Sequence, residues 1–474
     1  MKVRTKCFGV LGVVLVLFGS SVFAAKVTVT VDPAPGAQIP EDFTGLSFEI
    51  QLLLPQKDGS YYFSPTNQRL IDTMKVLGVK SIRVGGNTSD NPAVAIPSEK
   101  DIDNFFAFAK AADVKVIYTL RLKGVTDYTD ASKTTKYIMS RYGSQVQCFA
   151  LGNEPNVYLK TYPEFRDALA KFIAAVTGPD VAPDAVFCGP SSTPGKGTWA
   201  HDLAADLGKG GKLKLITQHS YPGSSARRVN DVAAARDKML STDWVTGYAK
   251  MHDSIMPAVE ENGLALRLEE CNSFFHGGAK DVSDTFASSL WALDFMHWWA
   301  SHGCAGLNFH TGDSVAANDQ MAVCRYAIYL STKDGYTVKP IGYALKAFDI
   351  GGRGRAVPVN VTSDDSAMNL TVYAVLAADK SLYVTLINKT HGDSGKAASV
   401  TLAAEGYAKA ESMTLTVPGS DIAATSGVTF GGAAIGDDAT WNGHWTALPA
   451  SDAPGHLNVE IPAASAIVLK LSGR

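Results

Sequence analysis

The stretch QVQCFALGNEPN, residues 145–156, decides the fold because a short buried strand ends in it at an acidic side chain. Residues 145–151 are apolar towards their end and contain no proline, as expected for a strand that is buried on both faces of a parallel sheet. Gly152 and Pro155 end the strand, so Glu154 follows it directly. In a barrel of parallel strands, the carboxyl ends and the loops after them build the active site. Taken alone, Glu154 is also compatible with a loop carboxylate that caps the next helix.

Strand and helix patterns alternate on both sides of this stretch, over residues 43–349. Eight apolar runs predict strands, at residues 44–49, 81–85, 115–120, 146–151, 185–188, 215–219, 265–270 and 306–310. Helical patterns lie between them, with a possible cap at Asp130 and the spacing of a capping box at Thr161 and Glu164. Alternation sustained eight times predicts a closed (β/α)8 TIM barrel rather than an open sheet.

A second domain is predicted at residues 350–474, where the helical patterns stop. Alternating β runs lie at residues 368–375, 381–388, 398–402, 412–417 and 464–471. Clusters of Gly, Asp and Ser separate these runs, which is typical of a β-sandwich. Residues 26–31 alternate in the same way, so we expect residues 25–42 to add a strand to this domain before the chain enters the barrel.

Residues 1–24 have the pattern of a secretory signal peptide. Basic residues within the first six positions precede an apolar run that is shorter than the roughly 20 residues needed to span a bilayer. A retained membrane anchor is the alternative. We expect cleavage after Ala24 or Ala25 and a mature chain that is secreted or periplasmic.

Composition and cysteine content exclude several classes of function. The chain has 474 residues and a net charge of -3, with both signs scattered, so neither nucleic acid nor a membrane surface is an expected partner. Five cysteines remain after signal cleavage, at positions 148, 188, 271, 304 and 324, and an odd number cannot form a complete disulfide framework. No CxxC, HxH or HExxH spacing occurs, so we predict neither a metal nor a cofactor.

The predicted strand ends carry polar and acidic side chains that a structural core would not need. They are Glu49, Arg83, Asn87, Arg121, Asn153, Glu154, His219, Tyr221, Glu270, Asn308 and His310. Glu154 and Glu270 end the fourth and seventh strands, whose ends face each other across a closed barrel. Two such carboxyl groups suit glycoside cleavage, in which one protonates the leaving oxygen and the other attacks or stabilises the sugar carbon.

In this interpretation Glu154 is the acid and Glu270 the nucleophile. Asn153 stands where it can bond a sugar 2-hydroxyl, and Tyr221 or Arg83 can hold Glu270 ionised. We predict that the two carboxyl groups lie about 5 to 5.5 Å apart, which gives retention of configuration, whereas about 9 Å would give inversion.

Glu269 and Glu270 are neighbours, which leaves one assignment open. The period of two in a strand sends them to opposite faces, so only one is expected to point into the barrel mouth. Leu266, Leu268 and Glu270 share a parity, which favours Glu270. A bulge at the strand end would change this expectation.

Several motifs, in the same order along the chain, resemble those of glycoside hydrolase family 79. They are GLSFE at 45–49, RVGGN at 83–87, LGNEP at 151–155, ECNS at 270–273 followed by glycines 277 and 278, SDTFA at 283–287 and GLNFH at 306–310. This family of retaining (β/α)8 glycosidases includes microbial β-glucuronidases and heparanase. The resemblance covers about residues 43–348, and the β-domain that follows fits it.

The resemblance implies a secreted retaining exo-β-glycosidase, first of all a β-glucuronidase, with Glu154 as acid/base and Glu270 as nucleophile. Glu49 and Asn153 match positions that bind sugar hydroxyls, and Tyr221 matches a site tyrosine after the sixth strand. The further substrate-binding candidates are Asn87, His219, Phe275, Gly277, Gly278, Asn308 and His310. The implied partner is a β-glycoside, which can contain a uronic acid.

Two departures from the family pattern concern the sugar. Phe275 stands where members that bind a uronic carboxylate commonly have a tyrosine, five residues after the nucleophile. The loop at 311–315 lacks a further tyrosine and introduces Asp313, whose charge would repel a uronate. Backbone amides at Gly277 and Gly278, with His276 or Lys280, could still hold a carboxylate. Losing one charge-assisted hydrogen bond costs roughly 1.5 to 3 kcal/mol, which changes preference without abolishing binding.

The sequence leaves two alternatives open. One is a β-glycosidase that acts on a neutral sugar, such as a glucoside or a disaccharide-glycoside. The other is a non-catalytic carbohydrate-binding protein that keeps the barrel. The sequence leaves open the sugar, the aglycone, endo or exo action, the oligomeric state and any pairing of the cysteines.

Overall fold

The structure, a computed structural model, describes residues 24–473 except residues 33, 35, 314–323, 404 and 450–454. The expected signal peptide lies outside the described residues, apart from Ala24. Across the part of the chain that is described, none of the helices has both the length and the apolar character needed to cross a bilayer.

Eight parallel strands close into a barrel, which confirms the predicted fold class. The first strand of the chain, β1 (Ala25–Val31), precedes the barrel. The barrel strands are β2 (Thr44–Glu49), β3 (Ser81–Gly85), β4 (Lys115–Leu120), β5 (Val146–Leu151), β6 (Phe187–Ser192), β7 (Leu213–Ser220), β8 (Ala265–Cys271) and β9 (Gly306–His310). Each pairs in parallel with the next, and β9 pairs with β2 to close the ring.

Helices connect the barrel strands and pack around them. They are α1 (Gln68–Val76), α2 (Glu99–Ala112), α3 (Thr129–Tyr142), α4 (Pro155–Tyr158), α5 (Tyr162–Val176), α6 (Trp199–Leu207), α7 (Val232–Leu240), α8 (Thr242–Glu261), α9 (Phe286–Ser301) and α10 (Pro340–Gly351). The predicted capping box is present before α5, where Glu164 accepts the backbone N–H of Thr161 at 3.3 Å. Asp130 is not a cap, because α3 begins one residue earlier, at Thr129.

The remaining strands form a hairpin and two packed sheets. They are β10 (Tyr329–Ser331), β11 (Tyr336–Val338), β12 (Arg355–Val357), β13 (Val359–Ser363), β14 (Leu370–Leu376), β15 (Leu382–Asn388), β16 (Ala398–Ala403), β17 (Lys409–Thr416), β18 (Thr429–Phe430), β19 (Thr446–Ala447), β20 (His456–Ile461) and β21 (Ser465–Ser472). One sheet has the order β13-β1-β16-β20, and the other has the order β12-β14-β15-β21-β17-β18 with β19 on β17. Residues of both sheets fill one apolar core, so this is a β-sandwich.

The N-terminal strand belongs to the sandwich, as predicted. Strand β1 lies between β13, to which it is antiparallel, and β16, to which it is parallel. Its alternating burial places Val27 and Val29 in the sandwich core and the side chains between them at the surface. The chain therefore begins in the C-terminal domain and then enters the barrel.

The larger sheet packs on the barrel through its other face, where a buried ion pair joins the two domains. Asp294 of α9 accepts from Lys389 Nζ at 2.8 Å, and both side chains are almost fully buried. Thr371 and Tyr373 of β14 also donate to this carboxylate, at 2.7 and 2.8 Å. Burial raises the pKa of Asp294, but Lys389 and the two hydroxyl groups outweigh burial and hold the pKa below its usual value.

Replacing Asp294 with alanine is expected to destabilise the protein by about 3 to 5 kcal/mol, because it leaves the Lys389 ammonium buried without its partner. The measurement is urea unfolding. The wild-type contribution is present above the unfolded carboxyl pKa and is lost as pH falls through the folded one, so the difference between variant and wild type shrinks in acid. The control Asp130→Ala, on the surface of α3, should cost less than about 0.5 kcal/mol. Equal effects would contradict this account of the interface.

Candidate active site

The structure brings Glu154 and Glu270 together at the carboxyl end of the barrel. One carboxylate oxygen of each lies within 4.8 Å of the other. Glu154 follows β5 in a left-handed backbone conformation, with φ 48° and ψ 52°, and its N–H donates to Ser191 O at 3.0 Å. Such a conformation is uncommon for a residue other than glycine and concentrates at functional sites. The separation is close to the predicted spacing and far from the wider spacing of an inverting pair.

Glu270 is surrounded by groups that stabilise its ionised form. Arg83 Nη1 donates to Oε2 at 2.7 Å, and the Tyr221 hydroxyl donates to Oε1 at 2.9 Å. His219 and His310 place ring nitrogens 3.8 and 3.9 Å from the carboxylate. Burial raises the pKa of Glu270, but the two histidines, Arg83 and Tyr221 outweigh it and hold the pKa far below its usual range. The side chain is therefore an anion at neutral pH.

Arg83 also orients Asn153. Its guanidinium is fully buried in the barrel, and Nη2 donates to Asn153 Oδ1 at 2.8 Å. The amide nitrogen of Asn153 lies 3.3 Å from Asn87 Oδ1. Because the guanidinium holds the oxygen, the NH2 end of Asn153 is the end that can donate to a ligand.

Glu154 has a different environment from Glu270. His219 Nδ1 lies 2.9 Å from Glu154 Oε1, and about a quarter of the Glu154 side chain is exposed. Burial lowers the pKa of His219, but Glu270 and Glu154 outweigh burial and raise it. The two carboxyl groups therefore have unlike surroundings, since Glu270 accepts from a guanidinium and a phenol whereas Glu154 contacts an imidazole and solvent.

A β-bulge turns both Glu269 and Glu270 into the barrel. The register of β8 shifts between Leu268 and Cys271 against β9, and the register of β7 against β8 shifts between Thr217 and His219. Glu269 is fully buried, and its carboxylate lies 4.0 Å from Arg83 Nε. The expectation that only one of the two glutamates points inward is therefore wrong, because the bulge removes the alternation.

Glu49 is held at the edge of the site by the loop that follows β3. Its carboxylate accepts the backbone N–H groups of Asn87 and Thr88, at 3.2 and 2.8 Å. Gly86 has φ 66°, and a Cβ there would lie 2.4 Å from the Glu49 carboxylate, so the loop needs glycine at this position. His310 Nε2 is 3.8 Å from Glu49. Glu49, Asn87 and His310 thus lie together beside Glu270.

A tyrosine outside the sequence motifs lies beside His310 and Tyr221. Tyr326 packs against His310 and Tyr221, with ring centroids 6.1 and 6.4 Å away. Phe275, about a third exposed, lies edge-on to Tyr221 at 6.1 Å. The chain after β9 therefore does bring a phenol to the site, from a position eleven residues beyond residues 311–315.

The backbone at Gly277 and Gly278 contacts the segment that carries Tyr326. Gly277 O accepts the N–H of Arg325 at 2.6 Å, and a Cβ on Gly278 would lie 2.8 Å from the backbone nitrogen of Tyr326. Asp313 accepts the N–H of Ser331, and burial raises its pKa. Its carboxylate is therefore engaged away from the catalytic pair. Residues 314 and 315 of the same predicted loop lie outside the described residues.

The expectation that Asn308 binds substrate is wrong. Its side chain is fully buried inside the barrel, where Oδ1 accepts from Arg267 at 2.7 Å and Nδ2 donates to Leu46 O and Ser81 at 3.2 and 3.1 Å. These contacts engage both the oxygen and the nitrogen of the side-chain amide inside the barrel, below its open end. Asn308 lies in the middle of β9, two residues before the strand end at His310, and this position accounts for its depth.

A cleft of about 290 Å3 adjoins Glu154, and the residues that line it include Asn87, Lys123, Asn153 and Val157. Arg121 fixes one wall of it by donating to the carbonyl groups of Ser89, Asn91 and Val94. This strand-end arginine thus shapes a loop. A second cavity of about 300 Å3, lined in part by Ile96 and Asp127, contains neither glutamate.

Glu154, His219 and Glu270 have potential metal-ligand atoms within 4.8 Å of one another. Both oxygens of Glu270 already accept hydrogen bonds, from Arg83 and from Tyr221. A guanidinium at 2.7 Å competes with any cation for that carboxylate. The trio is therefore better suited to proton transfer and nucleophilic attack than to metal binding.

No protein-family model matches the chain. Heparanase-like protein 2 of Arabidopsis thaliana is 28% identical over 109 residues, which is 22% of this chain and 19% of the relative. The match thus spans about a fifth of the length of that curated relative.

Solved structures of glycosidases share the whole architecture. A 4-O-α-L-rhamnosyl-β-D-glucuronidase from Fusarium oxysporum aligns with a TM-score of 0.71 at 18% identity, over 94% of this chain and 100% of that one. A family 51 arabinofuranosidase from Xanthomonas axonopodis aligns with a TM-score of 0.66 at 17% identity, over 94% and 100% of the two chains. These matches, with the heparanase-like relative, confirm the predicted resemblance to a (β/α)8 glycosidase.

Proposed function

We propose that this protein is an exported, retaining exo-β-glycosidase with Glu154 as acid/base and Glu270 as nucleophile, and that its substrate is a β-glucuronide. The observation that carries the proposal is the pair of glutamates whose oxygens lie within 4.8 Å of each other in unlike surroundings. Retaining glycosidases place their two carboxyl groups about 5 to 5.5 Å apart. Export rests on the signal-like pattern of residues 1–24.

Hydrolysis would proceed by two displacements. Glu270 attacks the anomeric carbon while Glu154 gives its proton to the glycosidic oxygen, and the aglycone leaves as an alcohol through the cleft beside Glu154. This forms a covalent glycosyl ester on Glu270. Glu154, now a carboxylate, takes a proton from water, and the water oxygen displaces Glu270. Both glutamates return to their starting states.

The choice of a glucuronide rests on the relatives and on Tyr326. The Fusarium oxysporum enzyme of similar fold is a rhamnosyl-glucuronidase, and the sequence relative is heparanase-like. Tyr326 supplies a phenol near Tyr221, where the sequence suggested that none would be present. Phe275 favours the alternative, a neutral β-glycoside, because it has no hydroxyl group to donate to a carboxylate.

Hydrolysis of a set of 4-nitrophenyl glycosides tests the proposal. We expect the β-glucuronide to have the highest kcat/KM among the β-glucuronide, the β-glucoside and the α-L-arabinofuranoside. Turnover of the β-glucoside alone would overturn the glucuronide assignment and keep the reaction. Binding of glycosides by folded protein without any turnover would instead support the non-catalytic alternative.

Phe275→Tyr is expected to raise the ratio of kcat/KM for the β-glucuronide over the β-glucoside by about 10- to 150-fold, because one charge-assisted hydrogen bond contributes roughly 1.5 to 3 kcal/mol. The measurement is the ratio itself, with Phe274→Tyr as the control for adding a hydroxyl nearby. An unchanged ratio would place the uronic carboxylate elsewhere than beside Phe275.

A further inference from the structure

Glu269 is a second buried glutamate beneath the catalytic pair, and the two displacements above do not use it. Its side chain is fully buried, and the bulge in β8 turns it into the barrel together with Glu270. Without the bulge, the alternation of the strand would direct it towards the surrounding helices. The bulge therefore places a carboxylate inside the catalytic centre.

The contacts of Glu269 direct it towards His219. Its Oε1 lies 3.9 Å from His219 Nε2, and its Oε2 lies 3.9 Å from Cys188 Sγ and 4.0 Å from Arg83 Nε. Within the described residues, neither Glu269 Oε1 nor His219 Nε2 has a hydrogen-bond partner. Two complementary buried polar atoms therefore face each other, and the other nitrogen of the same imidazole contacts Glu154.

The charges around this pair leave an excess of negative charge. The titratable and charged groups that face Glu269 and His219 are Arg83 from β3, Glu154 after β5, Cys188 from β6 and Glu270 from β8, and Cys148 of β5 lies behind Cys188. Arg83 is one cation shared by two carboxylates, Glu269 and Glu270. A proton on the imidazole of His219 balances the remaining negative charge of the carboxylates.

We propose that Glu269 is a positioning residue for the acid/base: its carboxylate faces Nε2 of His219, keeps a proton there and so retains the proton that Glu154 and His219 Nδ1 share. This rests on the proposed function of Glu154. Glu269 itself neither gives nor receives a proton. The shared proton passes from Glu154 to the glycosidic oxygen in the first displacement, and water restores it in the second.

The test is Glu269→Gln, which keeps the shape of the side chain and removes its charge. The imidazole titration of His219, followed by 15N–1H NMR and assigned with His219→Gln, should move to lower pH by at least about one unit, because an adjacent carboxylate favours the charged imidazole. The basic limb of the pH profile of kcat/KM should move in the same direction. Asp101→Asn, which removes a buried carboxylate from α2, should leave the His219 titration unchanged.

According to the proposal, Glu269 changes the basic limb of the pH profile only through His219. In the His219→Gln background, Glu269→Gln should add no further shift of the basic limb. An unchanged His219 titration in Glu269→Gln, or a limb shift that persists without His219, would overturn the proposal. Glu269→Met, uncharged and similar in volume, replaces the Gln variant if that variant does not fold. The NMR titration needs no turnover, so a protein that lacks glycosidase activity would still show whether Glu269 controls His219.

Discussion

Glu270→Ala is expected to lower kcat for a nitrophenyl glycoside by at least about 10^4-fold, the scale seen when the nucleophile of a covalent mechanism is removed. Arg83, Tyr221, His219 and His310 hold this carboxylate ionised, so the variant loses the anion that is proposed to attack the sugar. The variant should still fold, because Arg83 keeps Glu269 beside it.

Chemical rescue makes this prediction specific. Azide added to Glu270→Ala should occupy the space of the lost carboxylate, restore turnover and yield the α-glycosyl azide from a β-glycoside. The matched control is Glu261→Ala at the end of α8, which should keep wild-type kcat. Residual activity above a tenth of wild type, or azide without effect on any substrate, would show that Glu270 is not the nucleophile.

Glu154→Ala is the second large effect, and its size should depend on the leaving group. General acid catalysis contributes about 10^2 to 10^4-fold, and a nitrophenolate needs little of it because it leaves without protonation. We expect kcat/KM for an alkyl β-glycoside to fall by about 10^4-fold. For the nitrophenyl glycoside, kcat/KM should fall much less.

The second displacement gives an independent signature of Glu154. Without the base, the glycosyl ester on Glu270 should accumulate and produce a burst of nitrophenol. Azide, which needs no base, should then speed turnover and yield the β-glycosyl azide. The basic limb of the pH profile should also disappear. An equal loss for good and poor leaving groups would contradict the assignment of Glu154 as the acid.

The bounds of five barrel strands could be predicted to the residue, since short apolar runs between Gly and Pro leave few alternatives. For β6 the sequence pattern predicts a strand that starts two residues early and ends too soon, because Gly189 and Pro190 resemble a turn although both lie within the strand. The glutamate pair could be found because strand ends converge in a closed barrel. Strand order also suggested Arg83 and Tyr221 as the partners of Glu270.

Other parts of the site depend on contacts that a sequence does not display. The inward position of Glu269 follows from a bulge whose register is fixed by β7 and β9. Tyr326 reaches the site through a long connection after His310. For Asn308 a signal was present: it lies two residues before the strand end, so counting along β9 would have placed it inside the barrel.

The stereochemistry of hydrolysis tests the central claim most directly. A 1H NMR time course at high enzyme concentration identifies the anomer that forms first from a nitrophenyl β-glycoside, before mutarotation. A pair of carboxyl groups this close predicts that the β anomer appears first. First appearance of the α anomer would mean a single inverting displacement and would contradict the roles given to Glu154 and Glu270.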